Sequence, residues 1–168
     1  MEIKTDRLIL RPLGPEYLKT YNAYAMSLEN ARYMCFLPKY NEEESLEFLK
    51  TAAEEWLKPN PDFYEFAIIY KDEHIGGIGV YMEYEKPVLA WIINKEYWMK
   101  GFAFESAKAI MDYFDSNLGI KHFCAYCDTR NTASIRLMEK LGMKRTRKSG
   151  GRKNRASSEE AFEYRYEI

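Results

Sequence analysis

The feature that most constrains this chain is a change in how its apolar runs are joined. Between residues 63 and 94 the runs FYEFAIIY, IGGIGVYMEY and VLAWIIN are separated only by the short turns KDEH and EKP. Links that short join antiparallel neighbours, so this part reads as a meander. After Asn94 the links lengthen. A helical stretch with Ala103, Ala107, Ile110 and Phe114 on one face leads to KHFCAYCD, and a second, TASIRLMEKLG, leads to strands beginning MKR and ending FEYRYEI. Strand, helix, strand in succession requires a parallel crossover. The expected architecture is therefore α+β, a single domain over residues 1–168. Its central sheet is expected to be mixed and mostly antiparallel, with about six to seven strands flanked by helices.

The first part of the chain supplies the remaining elements. RLILRPL reads as a strand ended by Pro12, and Gly14 with Pro15 opens PEYLKTYNAYA, where proline takes the first helical position. NEEESLEFLKTAAEEWLKP has Asn41 as N-cap, glutamates in its first turn and Pro59 as a stop. Its face of Leu46, Leu49, Ala53 and Trp56 is expected to pack on the sheet. Gly119 and Gly142 close the later helices.

Composition excludes several functions. The 168 residues carry 25 basic and 26 acidic side chains, a balance that makes neither nucleic acid nor an anionic membrane the main partner. Apolar runs fall far short of the ~20 residues that span a bilayer. The start MEIKTDRLIL has charges where a signal peptide needs its apolar stretch, so a cytoplasmic protein is expected. Cys35, Cys124 and Cys127 make no disulfide framework. Cys124 and Cys127 form a CxxC, but within a strand positions three apart face opposite sides. They and His122, expected half-buried beside them, read as strand residues, and no metal is expected.

The stretch EYWMKGFAFESA, residues 96 to 107, carries the chemistry. Strand, short glycine loop, helix is the geometry that aims unpaired N–H groups at an anion, with the helix dipole adding to the attraction. Gly101 permits positive φ and close approach of a phosphate, and Lys100 adds a charge. A glycine before a helix is also an ordinary turn residue. The GGIG at residues 76 to 79 continues into VYMEY and opens no helix, unlike a nucleotide fingerprint.

Four segments together, TDRLILRPL, HIGGIGV, INKEYWMKGFAFESAKAIMDYF and DTRNTASIRLMEKLGMKR, resemble the GNAT family of acetyl-CoA-dependent N-acetyltransferases. Within it they resemble the branch that acetylates N-terminal amines of ribosomal proteins. The resemblance implies a GNAT fold whose sheet splays into a V at the coenzyme site. It implies that the coenzyme pyrophosphate rests on Met99, Lys100, Gly101, Phe102 and Ala103, and that backbone groups of Ile92 and Ile93 hold the pantetheine arm. Asn131 and Ser134 match positions near the thioester sulfur, and Arg136 or Lys140 would reach coenzyme phosphates or serve as solvated helix charges. Two departures stand out. The branch has glycine where this chain has Met99, so coenzyme binding is expected to survive with Met99 at negative φ. Many relatives have a tyrosine, as acid for the departing thiolate, where this chain has Met138; a thioether donates no proton, and Ser134 is the substitute the branch offers.

No GxSxG occurs, and His74 and His122 are the only histidines, so direct attack of an amine in a ternary complex fits better than an acyl-enzyme. Alternation places Ile78, Val80, Met82 and Tyr84 toward the core and Gly77, Gly79, Tyr81 and Glu83 on the other face. Glu83 is then the candidate base, or simply an exposed strand-end carboxylate. Glu105 has a similar ambiguity, since it also suits a helix N-terminus. KRTRKSGGRKNRASS, with basic residues from Lys144 to Arg155 and no acid, reads as a mobile loop near the acceptor, either solvated or steering an acidic or RNA-associated substrate. The expected partners are acetyl-CoA as co-substrate and an amine on a protein N-terminus or small molecule, with the chain a monomer or homodimer. A non-catalytic acyl-CoA-binding domain is the alternative.

Overall fold

A computed structural model describes residues 1–82 and 86–168. Its strands are β1 (Ile3–Lys4), β2 (Leu8–Pro12), β3 (Phe63–Tyr70), β4 (Glu73–Tyr81), β5 (Val88–Ile93), β6 (Cys124–Asp128), β7 (Lys144–Lys153) and β8 (Glu160–Glu167). The helices are α1 (Leu18–Ala25), α2 (Glu42–Glu55), α3 (Phe102–Leu118) and α4 (Thr132–Lys140). All strands join one sheet in the order β1-β2-β3-β4-β5-β6-β8-β7, eight rather than six or seven. The count rises because two-residue β1 folds back on β2 and because the basic stretch is itself a strand.

Every neighbouring pair is antiparallel except β5 and β6, which α3 joins as a parallel crossover. One core lies between the sheet and α3 with α4, where Leu10, Phe66, Ile78 and Val80 meet Ile110, Phe114 and Met138. A second lies under α1 and α2, where Tyr21, Tyr24 and Leu49 cover Ala67 and Ile69. Ile78 and Val80 face the first core as alternation requires, but Met82, past the strand end, is largely exposed.

Three expectations need correction. The stretch from Lys144 is paired with β8 from Lys144↔Glu167 to Lys153↔Glu160, with register shifts after Arg145 and Ser149. It lacked a strand signature because it is an edge exposed on both faces, while β8 supplies the aromatic side chains of the pair. Helix α2 starts at its Asn41 cap, whose Oδ1 accepts from Glu44 N at 2.9 Å, but buries Ser45, Leu49, Ala52 and Glu55. Leu46, Ala53 and Trp56 are only half-buried, and Trp56 instead donates its indole N–H to Glu65 O at 2.9 Å. His122 is exposed and precedes β6. Cys124 and Cys127 are buried free thiols, and burial pushes Cys127 up to about 11. Among the described residues no cluster of His, Cys, Asp and Glu could hold a metal, and no helix is long and apolar enough to cross a membrane.

The meander is drawn together at a bulge. Ile68 pairs with Gly76 and Ile69 with His74, so Ile75 is the extra residue. Beside it β5 presses so close that a Cβ on Gly76 would overlap the Ile92 carbonyl oxygen and lie 2.9 Å from Ile93 Cα. Both are backbone atoms with no rotamer to yield. Gly76→Ala should therefore cost about 1–3 kcal/mol, the usual range for overpacking. A urea midpoint equal to that of the parent would show that β5 can shift freely.

Candidate functional site

The sheet opens where β5 and β6 part. Among the described residues their ladder has a single rung, Val88↔Cys124, where Cys124 N donates to Pro87 O at 2.9 Å. On the other side of β5, Asn94 N donates to Ile75 O at 2.8 Å, which fixes the phase of the strand. Even-numbered backbone groups face β4, and those of Leu89, Trp91 and Ile93 face the gap. Ile92 thus turns its backbone to Gly77, and Ile93 is the one of the two that faces the opening. The Ile93 carbonyl accepts from Trp98 Nε1 and Asn30 Nδ2, both at 2.7 Å, which leaves its N–H directed into the gap.

The loop leading to α3 lies at the end of that strand. Met99 has φ 62 and Gly101 φ 80, so the expectation of negative φ at Met99 fails. The methionine occupies a region that suits glycine, and its side chain, 97% exposed, meets no obstacle there. Left-handed residues interleaved with others turn successive N–H groups to one side, a nest for an anion, here at the N-terminus of a 17-residue helix. Phe102 is buried beneath the loop and Ala103 half-buried.

Arg7 braces this loop. Its Nη1 donates to Lys100 O at 2.9 Å, its guanidinium lies 4.7 Å from the Phe102 ring centroid, and its Nε donates to Glu105 at 2.7 Å. Glu105 also accepts from Arg7 N at 2.9 Å and Thr5 Oγ1 at 2.6 Å, so it ties the turn between β1 and β2 to α3. Burial alone would raise the Glu105 carboxyl; the bonds from Thr5 and Arg7 outweigh it and hold the group below its usual range. Arg7 escaped the sequence reading, although the quoted TDRLILRPL contains it. A groove of about 820 Å³ continues from the loop along α3, lined by Arg7, Lys100, Gly101, Phe104, Lys108 and Lys140. Lys140 stands 4.2 Å from the centroid of the Phe104 ring, while Arg136 is exposed on α4.

The far wall of the gap is organised by Asp128, fully buried at the end of β6. It accepts from Arg130 N and Nε at 2.9 Å, Arg130 Nη2 at 2.7 Å and Asn154 Nδ2 at 2.6 Å. Burial would raise its pKa, yet these donors bring it down to about 2, so the carboxylate stays ionised. Three residues on, Asn131 caps α4 by accepting from Ser134 N at 3.1 Å. Ser134 is half-buried at that helix start, and Met138 is fully buried in the core between α4 and the sheet.

Glu83 lies outside the described residues. A different carboxylate dominates the α1 face of the meander, namely Glu65 on β3. It is 7% exposed, accepts from the Tyr81 hydroxyl, and lies over Gly79, where a Cβ would overlap its carboxyl group. Gly77, beside it, faces the Tyr24 hydroxyl. Gly79 and its β5 partner Ala90 leave a low floor between the carboxyl and the open edge of β5. Burial raises Glu65 to about 7 against the opposing Tyr81 bond, and burial with Glu65 nearby raises Tyr81, which stays protonated as the donor. The sequence signal was one acid inside the otherwise apolar FYEFAIIY, opposite the glycines of β4. His74 plays no comparable part. Burial lowers it to about 4, and it donates from Nε2 to Gly76 O at 2.9 Å with Thr20 Oγ1 at 2.8 Å from Nδ1.

Tyr81 also lines a pocket of about 410 Å³ with Phe48, Phe63, Glu44, Lys39 and Arg155. The turn after β7 closes it. Arg155 N donates to Met34 O at 2.9 Å, Arg155 Nη1 to Glu44 at 2.9 Å and Arg152 Nη2 to Tyr33 O at 2.8 Å, fastening the end of β7 and this turn to α2 and the segment before it.

Known proteins share this fold. The uncharacterized N-acetyltransferase YnaD of Bacillus subtilis (strain 168) is 28% identical over 151 residues, covering 86% of this chain and 84% of its own. The microcin C7 self-immunity acetyltransferase MccE, solved with acetyl-CoA and AMP, superposes with a TM-score of 0.84 at 15% identity, covering 98% and 93% of the two chains. An acetyltransferase of Salmonella typhimurium that modifies the N-terminal serine of ribosomal protein L7/L12 gives 0.85 at 12% identity, covering 100% and 98%. With residues 7–144 matching the acetyltransferase (GNAT) domain, the chain belongs to the GNAT acetyltransferases, enzymes that draw their acetyl group from acetyl-CoA.

Proposed function

We propose that the chain acetylates a primary amine by direct attack on the thioester, and that the acceptor is the α-amine of a polypeptide. The observation that carries the reading is the open edge of β5 running into the nest at Met99–Gly101. Pyrophosphate rests on the N–H groups from Met99 to Ala103 with Lys100 beside it, and the 820 Å³ groove takes the adenosine, with Lys108 and Lys140 for its phosphate. The arm pairs with the gap-facing backbone of β5, and Asn131 orients Ser134 at the sulfur end.

In the reaction the amine nitrogen bonds to the carbonyl carbon, the C–S bond breaks, and the thiolate takes the proton of the Ser134 hydroxyl as that oxygen receives one from solvent, so the serine is unchanged. The proton lost by the amine passes through water to Glu65, whose pKa of about 7 matches the working pH. A single modest base favours an acceptor that is easily deprotonated. Freeing a lysine amine at pH 7 costs about 4.6 kcal/mol, an α-amine only about 1. The Salmonella typhimurium relative acts on an N-terminal serine, the same acceptor class. A small-molecule amine is the second reading, favoured by the 410 Å³ pocket, which has the size of a small-ligand site.

Acetyl transfer to short peptides with a free N-terminus, against blocked peptides bearing lysine, tests the acceptor. The free peptides should react faster. Faster transfer to blocked lysine peptides overturns the reading, and acetylation of small amines alone establishes the second.

Gly101→Val should weaken acetyl-CoA at least tenfold, about 1.4 kcal/mol, because valine disfavours φ 80 and crowds the phosphate. Met99→Gly should leave affinity unchanged while relieving strain. Calorimetry on the two folded variants checks both, and unaltered affinity for Gly101→Val removes the loop from the site.

Glu65 gives a pH signature. The parent kcat/KM should rise through an inflection near 7, and Glu65→Gln should lose that inflection with a fall of about 100-fold. Stability runs the other way. The folded pKa lies above the ordinary 4.5, so this residue's contribution is full below 4.5 and is lost as pH rises through about 7. Denaturation of Glu65→Gln should be flatter across that window, and an identical pH–rate profile would exclude Glu65 as the base.

A further inference from the structure

We propose that β7 is a docking edge for an acidic, extended segment of the acceptor polypeptide, which lies antiparallel to the strand with its amino terminus at the Asn154 end. The proposal rests on the α-amine reading above and adds what must follow the amine.

Three observations carry it. First, β7 is the last strand of the sheet, so one side of its backbone has no strand partner and can add another strand. Second, its charge is one-sided. Lys144 to Arg155 contains seven basic residues and no acid, in a chain whose net charge is −1. Arg152 and Arg155 are committed to Glu163 and Glu44. Lys144, Arg145, Arg147, Lys148 and Lys153 are exposed and form no ion pair among the described residues. A few lysines suffice to protect an edge from aggregation; here Lys144 and Lys153 lie across the ladder from Glu167 and Glu160, while Arg145, Arg147 and Lys148 have no acid opposite and attract an acidic partner. Arg145 and Lys148 are moreover seated on rings, 4.5 Å from the centroid of Tyr164 and 4.9 Å from that of Phe162.

Third, the strand points at the reaction centre. Just past its end Asn154, 1% exposed, bonds Asp128, three residues before Asn131, and Arg155 lines the 410 Å³ pocket. An acceptor whose amine enters there has the rest of its chain led along β7 toward Lys144, about 30 Å at ~3.3 Å per residue. RNA fits less well, because an open backbone edge pairs with another strand and Tyr164 is already covered by Arg145.

The test uses the full chain and three peptides that share their first residues and continue with acidic, neutral or basic sequence. The acidic peptide should exceed the neutral one in kcat/KM by about tenfold, mostly through KM, and lose that advantage as salt rises. Lys148→Glu with Lys153→Glu should abolish the preference while acetyl-CoA affinity stays at the parent value. Equal rates for the three peptides overturn the docking edge and leave the α-amine reading standing. No transfer to any peptide, with small amines acetylated, overturns both. Stronger competition by an RNA oligomer of equal charge than by the blocked acidic peptide would assign the edge to nucleic acid and overturn the proposal.

Discussion

The site depends on one missing stretch of hydrogen bonding. β5 and β6 run parallel, yet they share one rung before diverging. Their gap exposes backbone donors and acceptors that a closed sheet would satisfy internally, and such groups bind whatever polar chain fits between them. An opening of this kind would collapse or fray unless both walls were held from outside. Each wall is held by a charged side chain with several partners. Glu105 fixes the start of α3 to Thr5 and Arg7, and Asp128 fixes the turn before α4 to Arg130 and Asn154. One tie reaches back to the first strands and the other forward to the last hairpin, so the chain ends brace its middle.

The same bracing accounts for the strained backbone of the loop before α3. A methionine at φ 62 costs of order 1 kcal/mol relative to a relaxed conformation and persists only where neighbours over-determine it. Here they do. Trp98 is held by its indole bond to Ile93 O before the strained residue, and Lys100 O is held by Arg7 after it. With both flanks pinned, a side chain that projects wholly into solvent adds no further conflict.

Much of the fold was legible in sequence where one face of an element is dry and the other wet. The meander, the Asn41 cap and the α3 face with Ala107, Ile110 and Phe114 followed from periodicity. Reading failed where burial does not follow polarity. α2 buries Ser45 and Glu55, so its inward face is turned from the apolar one. β7 is exposed on both faces and has no apolar alternation to read. The glycine-led loop was visible, but the sign of φ at Met99 and the Arg7 brace depend on contacts across more than 90 residues. Between Ile92 and Ile93, only the bond from Asn94 to Ile75 decides which backbone faces the gap.

Glu65 and His74 show how one physical cause divides two residues on neighbouring strands. Burial disfavours the charged form of each, which raises an acid and lowers a base. His74 therefore falls to about 4 and stays neutral, unable to hold a proton taken from an amine near neutral pH. Glu65 rises to about 7, where it is part ionised and binds a proton strongly enough to serve as acceptor. The Tyr81 hydroxyl sets the limit on that rise, since its bond favours the carboxylate and opposes the effect of burial. The glycines of β4 are the precondition. A side chain at Gly79 would occupy the space of the carboxyl group, so Glu65 and the bare strand opposite it form one structural unit.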